Sequence, residues 1–138
     1  MTASDRETFL ELPHVAVLAI ARADGEPPLA SPVWYDYQRG GDVIMTIGVD
    51  SEKARRLAES PVASVCVQTT ELPYRFVTAS GPVTLGPADA GIRRRIAARY
   101  LPAELVDGYL DSAEDEAQIL TVRLTPRSWL SNDFSKLG

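Results

Sequence analysis

The run HVAVLAIAR (14–22), the Asp24-Gly25 pair and the run PLASPVWYDY (28–37) constrain this chain more than any other feature. Both runs are rich in β-branched and small apolar residues, which suit a pleated, half-buried surface. An Asp-Gly between two such runs signals a hairpin. Pro32 lies inside the second run. It has no amide hydrogen for a ladder, so the strand must be an edge or carry a bulge there. Four further strands follow: DVIMTIG (42–48), VASVCVQTT (62–70), RFVTASGPVTL (75–85, broken by Gly81-Pro82) and QILTVRLTP (118–126). Six strands with hairpin connections and few helices predict a mainly β chain, an antiparallel barrel rather than a parallel βαβ sheet. The apolar runs are long and poorly alternating, as expected of strands covered on both faces when two barrels pack together.

The helices are short. Ser4-Asp5-Arg6-Glu7 fits a capping box, Phe9, Leu10 and Leu12 would face inward, and Pro13 ends that helix. SEKARRLAE (51–59) follows the third strand and stops before Pro61. Gly86-Pro87 would open a helix with Ile92, Ile96 and Tyr100 inward and Arg93, Arg94, Arg95 and Arg99 around them. A second short helix, AELVDGYL, comes next, and the tail SWLSNDFSKLG still carries Trp129 and Phe134.

At 138 residues, one domain spanning 1–138 is expected, since a domain takes ~100–200 residues. The net charge of −5 argues against duplex nucleic acid, which rewards a basic face. No apolar run reaches the ~18 residues of a membrane span and MTASDRETF has no signal-like core, so a cytoplasmic protein is expected. One cysteine and one histidine leave almost no material for a zinc site or a Cys/His pair. Cys66, within SVCVQ, reads as a buried structural residue, and His14 as a structural histidine beside a strand.

Three places could hold a ligand. In MTIGVDSEKARRLA, Asp50 or Ser51 can cap the helix. The positive helix end, with Lys53 or Arg55, would then suit a phosphate. The same residues also fit an amphipathic helix with Ala54, Leu57 and Ala58 inward and Lys53, Arg55, Arg56 and Glu59 in solvent. In SPVWYDY, Trp34 could line a slot for a flat heterocycle, or Trp34 and Tyr35 could fill core and interface. In LPYRF, Arg75 is a second anion contact or an ordinary loop arginine. Glu114-Asp115-Glu116 reads as a solvated turn, and no carboxylate pair suggests acid–base work. If the chain is an enzyme, a cofactor does the hard chemistry.

Taken in order, HVAVLAIARADGEPPLASPVWYDY, EKARRL after a strand, ASVCV and PYRFVTASGPVTL resemble the FMN-binding split β-barrel superfamily, which includes pyridoxamine 5'-phosphate oxidase. Within it the likeness is to the small actinobacterial flavin/deazaflavin oxidoreductases. The resemblance implies a homodimer of six-stranded split barrels with two cofactor sites at the subunit interface, holding FMN or the deazaflavin coenzyme F-420. It implies that Ser31, Pro32, Val33 and Trp34 run along the ring edge and that Met45, Thr46 and Ile47 support the ribityl chain. Ser51, Lys53 and Arg55 then surround the phosphate. The partner subunit supplies groups near Tyr74, Arg75 and Trp129, with Tyr74 a candidate proton donor and no catalytic residue otherwise assigned. The chain departs from the family in the loop Ile47-Gly48-Val49-Asp50-Ser51-Glu52. That loop carries two acids and no base where Ser/Thr and Arg are common, and Arg56 stands where an Asn is usual. Such acids would repel the oligoglutamate tail of F-420 more than the single phosphate of FMN.

The implied function is a flavin-type oxidoreductase passing a hydride to a small conjugated acceptor, with FMN or F-420 as the donor. The alternatives are a non-catalytic protein of the same fold that stores or senses FMN or another planar ligand, and a barrel that dimerises and binds nothing.

Overall fold

The computed structural model describes residues 1–112 and 116–137. Helix α1 (Ala3–Leu10) precedes strands β1 (Ala16–Ile20), β2 (Leu29–Val33), β3 (Asp36–Tyr37) and β4 (Val43–Gly48). Helix α2 (Glu52–Glu59), strands β5 (Val62–Gln68) and β6 (Arg75–Pro87), and helices α3 (Ala90–Tyr100) and α4 (Ala103–Ser112) follow. Strands β7 (Ile119–Leu124) and β8 (Ser128–Asp133) close the chain. Every pairing is antiparallel, in the order β2-β1-β5-β6-β7-β4-β3, with β8 added on β6. This curled, mainly β sheet is a split barrel.

The expected six strands become eight strand segments for local reasons. The second run divides into β2 and β3 at Trp34-Tyr35, where Tyr35 turns fully into the core. The tail SWLSND, which has no apolar run to announce it, pairs with the first half of β6. Pro32 sits on the edge strand β2, where a missing amide costs no ladder bond. The β1–β2 connection is longer than a two-residue turn. Gly25 takes φ 83°, and Arg22 leaves the ladder to donate to the Pro27 carbonyl.

Strand β6 joins the two halves of the barrel. Its first part pairs with β5 and β8, and from Val83 onward it pairs with β7. Gly81 is therefore not a break but a crossing point, because a Cβ there would overlap the Thr125 carbonyl oxygen. Leu18, Ile20, Val65, Val67, Val77, Val43, Met45 and Leu124 fill the interior, and α2 seals it with Leu57.

Three local expectations are corrected. The α1 cap is Thr2 with Asp5, two residues earlier than Ser4 and Glu7, and Leu12 is exposed while Phe9 and Leu10 are buried. Helix α3 starts at Ala90 under the Asp89 cap, since Gly86 and Pro87 still belong to β6. Cys66 is only half-buried, because β5 turns Val65 and Val67 inward and Cys66 outward. Of the acidic run, Glu114 and Asp115 lie outside the described residues, and Glu116 pairs with Arg93 at 3.7 Å. Among the described residues no helix is long and apolar enough to cross a membrane.

The sheet face turned away from the core mixes small polar residues such as Ser64, Ser80 and Asn132 with a largely apolar row. Cross-strand register sets Pro32, Val17, Cys66, Thr78 and Leu130 in one row over β2, β1, β5, β6 and β8. Val17 is 38% exposed and Leu130 64%.

Candidate functional site

A groove runs between the edge strand β2, the end of β4, the first turn of α2 and the two helices α3 and α4. It consists of two adjoining cavities of about 400 Å³ each, which share Thr46, Lys53, Ile96 and Tyr109. One end is bounded by Val15, Pro32, Val33 and Trp34, and the other by Gly48, Arg93, Ser112 and Ile119.

Local sequence builds each wall. Alternation along β4 sends Val43 and Met45 into the core and leaves Thr46 on the groove, while Ile47, buried at the strand's end, closes one cavity from below. A turn follows at Gly48, whose carbonyl accepts from the Ser51 amide at 3.2 Å. Ser51 caps α2, its hydroxyl accepting from the Ala54 amide at 3.1 Å and donating to the Gly48 carbonyl at 2.7 Å. Ala54 and Leu57 anchor α2 inward, which places Lys53 on the flank beside the groove. Its ammonium donates to the Ser31 hydroxyl at 3.2 Å.

Arg55 is placed elsewhere. Two residues along a helix are ~200° apart around its axis, so Lys53 and Arg55 cannot face one groove. Arg55 is exposed and donates to its own turn, at the Asp50 carbonyl, 3.4 Å away. The charge of Glu52 is likewise engaged. Arg22 grips its carboxylate through two bonds, of 3.0 and 3.3 Å, and these bonds hold its pKa below the ordinary value. That partner lies 30 residues away in sequence, beyond the loop in which a base was expected.

Trp34 forms an aromatic wall. Its ring stacks on Tyr100 at 4.9 Å with 9° between planes, and Tyr109 leans on it at 5.6 Å. The wall is braced from behind. The Tyr100 hydroxyl donates to the His14 carbonyl at 2.8 Å and accepts from the Tyr35 amide at 3.3 Å, and burial pushes its pKa up. The Tyr35 hydroxyl sits between the Leu10 and Leu12 carbonyls at 2.8 and 3.0 Å. Arg99 lies over the Tyr35 ring at 4.8 Å and also donates to the end of α1, while Arg95 and Arg99 both pair with the buried Asp36, at 3.1 and 3.8 Å.

Of the residues expected to form a site, Pro32, Val33, Trp34, Thr46, Ile47 and Lys53 therefore line one groove, and Ser31 and Ser51 position its lysine and turn. Met45 belongs to the core. Tyr74 and Arg75 begin β6, outside the groove, where the Arg75 guanidinium lies over the Phe9 ring at 5.1 Å and Tyr74 is exposed. Arg93 and Tyr109, with Val15, Ala97, Ser112 and Ile119, are among the lining residues that sequence reasoning passed over. Arg93 and Tyr109 sit on helices whose amphipathic stripe accounts for their neighbours but not for them.

The residues present fit a planar cofactor that carries an anion. They supply a flat aromatic wall, an edge strand with one side free of strand pairing, the Thr46 hydroxyl and the Lys53 cation midway, and Arg93 at the far end. Val15 borders both this groove and a cavity of about 590 Å³ lined by Pro13, His14, Val17, Cys66, Gln68 and Thr70 on the outer sheet face.

No curated protein matches the chain. Among solved structures it is similar to the conserved hypothetical protein Rv2991 from Mycobacterium tuberculosis, with a TM-score of 0.76 and 22% identity over 100% of this chain and 88% of that one. An F-420 reductase superposes with a TM-score of 0.65 at 22% identity, covering 90% of this chain and 94% of that one. An FAD-binding protein from Mesorhizobium loti gives 0.68 at 18% identity, covering 95% and 93%. These likenesses establish the fold. The family model described as pyridoxamine 5'-phosphate oxidase matches residues 4–131, nearly the whole chain. The chain belongs to the pyridoxamine 5'-phosphate oxidase family.

Proposed function

We propose that this protein is an oxidoreductase that holds a flavin-type cofactor, FMN or F-420, in the Trp34–Lys53 groove and reduces or oxidises a small conjugated molecule against it. The observation that carries this reading is the position of Lys53. One cation, held by a neutral hydroxyl, stands between a flat aromatic wall and a polar recess. A bound flavin or deazaflavin would supply the hydride chemistry. The chain's own residues bind and orient. Pro32, Val33 and Trp34 offer backbone and ring edge to a heterocycle, Thr46 offers a hydroxyl midway, and Lys53 offers charge to a phosphate. Trp34, Val15 and Ile96 give the ring end an apolar lining against which a bound ring would shed water.

A second copy of the chain is part of this proposal. The row of Val17, Cys66, Thr78 and Leu130 lies near Val15 at the groove's rim, so a partner covering the row could reach the groove, and the family resemblance implies that its Tyr74 and Arg75 would then lie near it. Tyr74 remains the candidate proton donor in that arrangement.

A non-catalytic binding role is the second reading, favoured by one observation. The described lining of the groove holds no carboxylate, histidine or cysteine to move a proton. The discriminating experiment reduces the cofactor-loaded protein and follows its reoxidation by added quinones and nitroaromatics. Turnover faster than with free cofactor supports the enzyme, and equal or slower turnover supports the binder.

A further inference from the structure

We infer that the α3 end of the groove is an anion subsite shared by Lys53 and Arg93, and that Glu116 is a built-in occupant of Arg93 which an incoming anion displaces. This deepens the proposed function and rests on it only for the identity of the natural ligand.

The described lining of this cavity contains two cations and no carboxylate, in a chain of net charge −5. Its walls add the hydroxyls of Thr46 and Ser112 and the small surface of Gly48, which leaves room for tetrahedral oxygens. Arg93 is nearly buried, with 11% of its side chain exposed, so its charge is poorly served by water. Its ion pair is a loose one. The NH1 atom stands 3.7 Å from Glu116 Oε1, beyond hydrogen-bond length, and Glu116 is 53% exposed. A largely desolvated guanidinium with a distant, solvated partner gains more from a phosphate or carboxylate placed between itself and Lys53 than from its resident carboxylate.

Lys53 is not consumed by the fold either, since its described bond goes to a neutral hydroxyl. Arg93 also takes the place sequence reasoning gave to Arg55, from a different helix. A cavity flanked by two cations favours ligands with more than one negative charge at that end. Pyrophosphate-bearing and phosphate-plus-carboxylate ligands should therefore be preferred over a neutral tail.

The test uses inorganic pyrophosphate as the probe, by calorimetry on the full chain. Glu116→Gln should tighten pyrophosphate several-fold. Arg93→Met should weaken it tenfold or more, and Arg93→Lys should restore part of the loss. Thermal melts of each variant establish that it is folded, and the exposed Glu116 keeps the test decisive where Arg93→Met does not fold. Pyrophosphate affinity unchanged in Glu116→Gln, or no pyrophosphate binding by the wild-type chain, overturns the subsite. Normal pyrophosphate behaviour without flavin or F-420 binding would leave the subsite standing and overturn the flavin assignment instead.

Discussion

The Lys53 ammonium donates to the Ser31 hydroxyl at 3.2 Å and so ties the first turn of α2 to the edge strand β2. A neutral acceptor positions the cation without cancelling its charge, which is what a phosphate-holding lysine requires. Lys53→Ala should therefore weaken FMN by ~1.5–3 kcal/mol, roughly ten- to hundredfold in Kd, while leaving riboflavin binding nearly unchanged. Ser31→Ala loses only positioning and should cost less than about 1 kcal/mol. Calorimetry with the two ligands reads both effects, and equal losses for FMN and riboflavin would contradict the phosphate role.

Gly81→Ala tests the crossing of the two barrel halves. The new methyl would meet the Thr125 carbonyl, a backbone atom that cannot swing aside. A loss of about 3 kcal/mol is expected, at the upper end of ordinary overpacking. Urea denaturation measures it, and a neutral result would mean that β6 can shift past β7.

Asp36 is the hub of the helix–sheet contact, with its side chain 8% exposed between Arg95 and Arg99. Asp36→Ala should destabilise by about 3 kcal/mol, because it leaves the largely buried Arg99 without its carboxylate. Arg95→Ala should cost far less, since Arg95 is mostly solvated and solvent already screens its pair. Comparable losses from the two would count against this division.

His14 stacks on Phe9 at 4.8 Å, and its buried Nε2 has no partner. Burial first, then the nearby Arg75 and Arg99 charges, lower its pKa below 6.5. The unfolded chain therefore takes up the proton first as pH falls. The stability His14 contributes is complete above the unfolded value near 6.5 and is lost as pH drops through the lower folded value. Melting temperature should fall between pH 7 and 5 in the wild type, and His14→Gln should flatten that slope. An unchanged slope would assign the pH dependence to other groups.

Leu130→Asp, alone or with Val17→Asp, places charge in the row that a second copy would cover. The outer face carries no core packing, so the fold should survive. Sedimentation should then report a monomer for the variant and a dimer for the wild type, and a monomeric wild type would contradict the shared site.

Much of the barrel was legible because strand signals are local. Apolar runs, Pro32 at an edge and the Ser51 cap each act within a few residues, and the helix SEKARRLAE is found within one residue of its expected span. Strand β8 was not legible, because SWLSND neither alternates nor carries an apolar run longer than Trp129-Leu130, and it owes its pairing to β6. The site was half legible. Lys53 and Trp34 follow from motif and strand, but Arg55 fails on helical periodicity, which separates it from Lys53. Arg22–Glu52 and Arg93–Glu116 join residues far apart in sequence, and no local pattern predicts which arginine meets which acid. Tyr109 reaches the groove only because α4 folds back against α3.

The central claim is that the groove beside Lys53 holds a flavin-type cofactor. Fluorescence titration of the cofactor-free protein with FMN, and in parallel with F-420, tests it most directly. Saturable binding at micromolar or tighter concentration is predicted for at least one of them, with the Arg22–Glu52 pair removing part of the repulsion that the larger cofactor's tail would otherwise meet. Binding of neither cofactor would contradict the account and leave the family relationship as a statement about the fold.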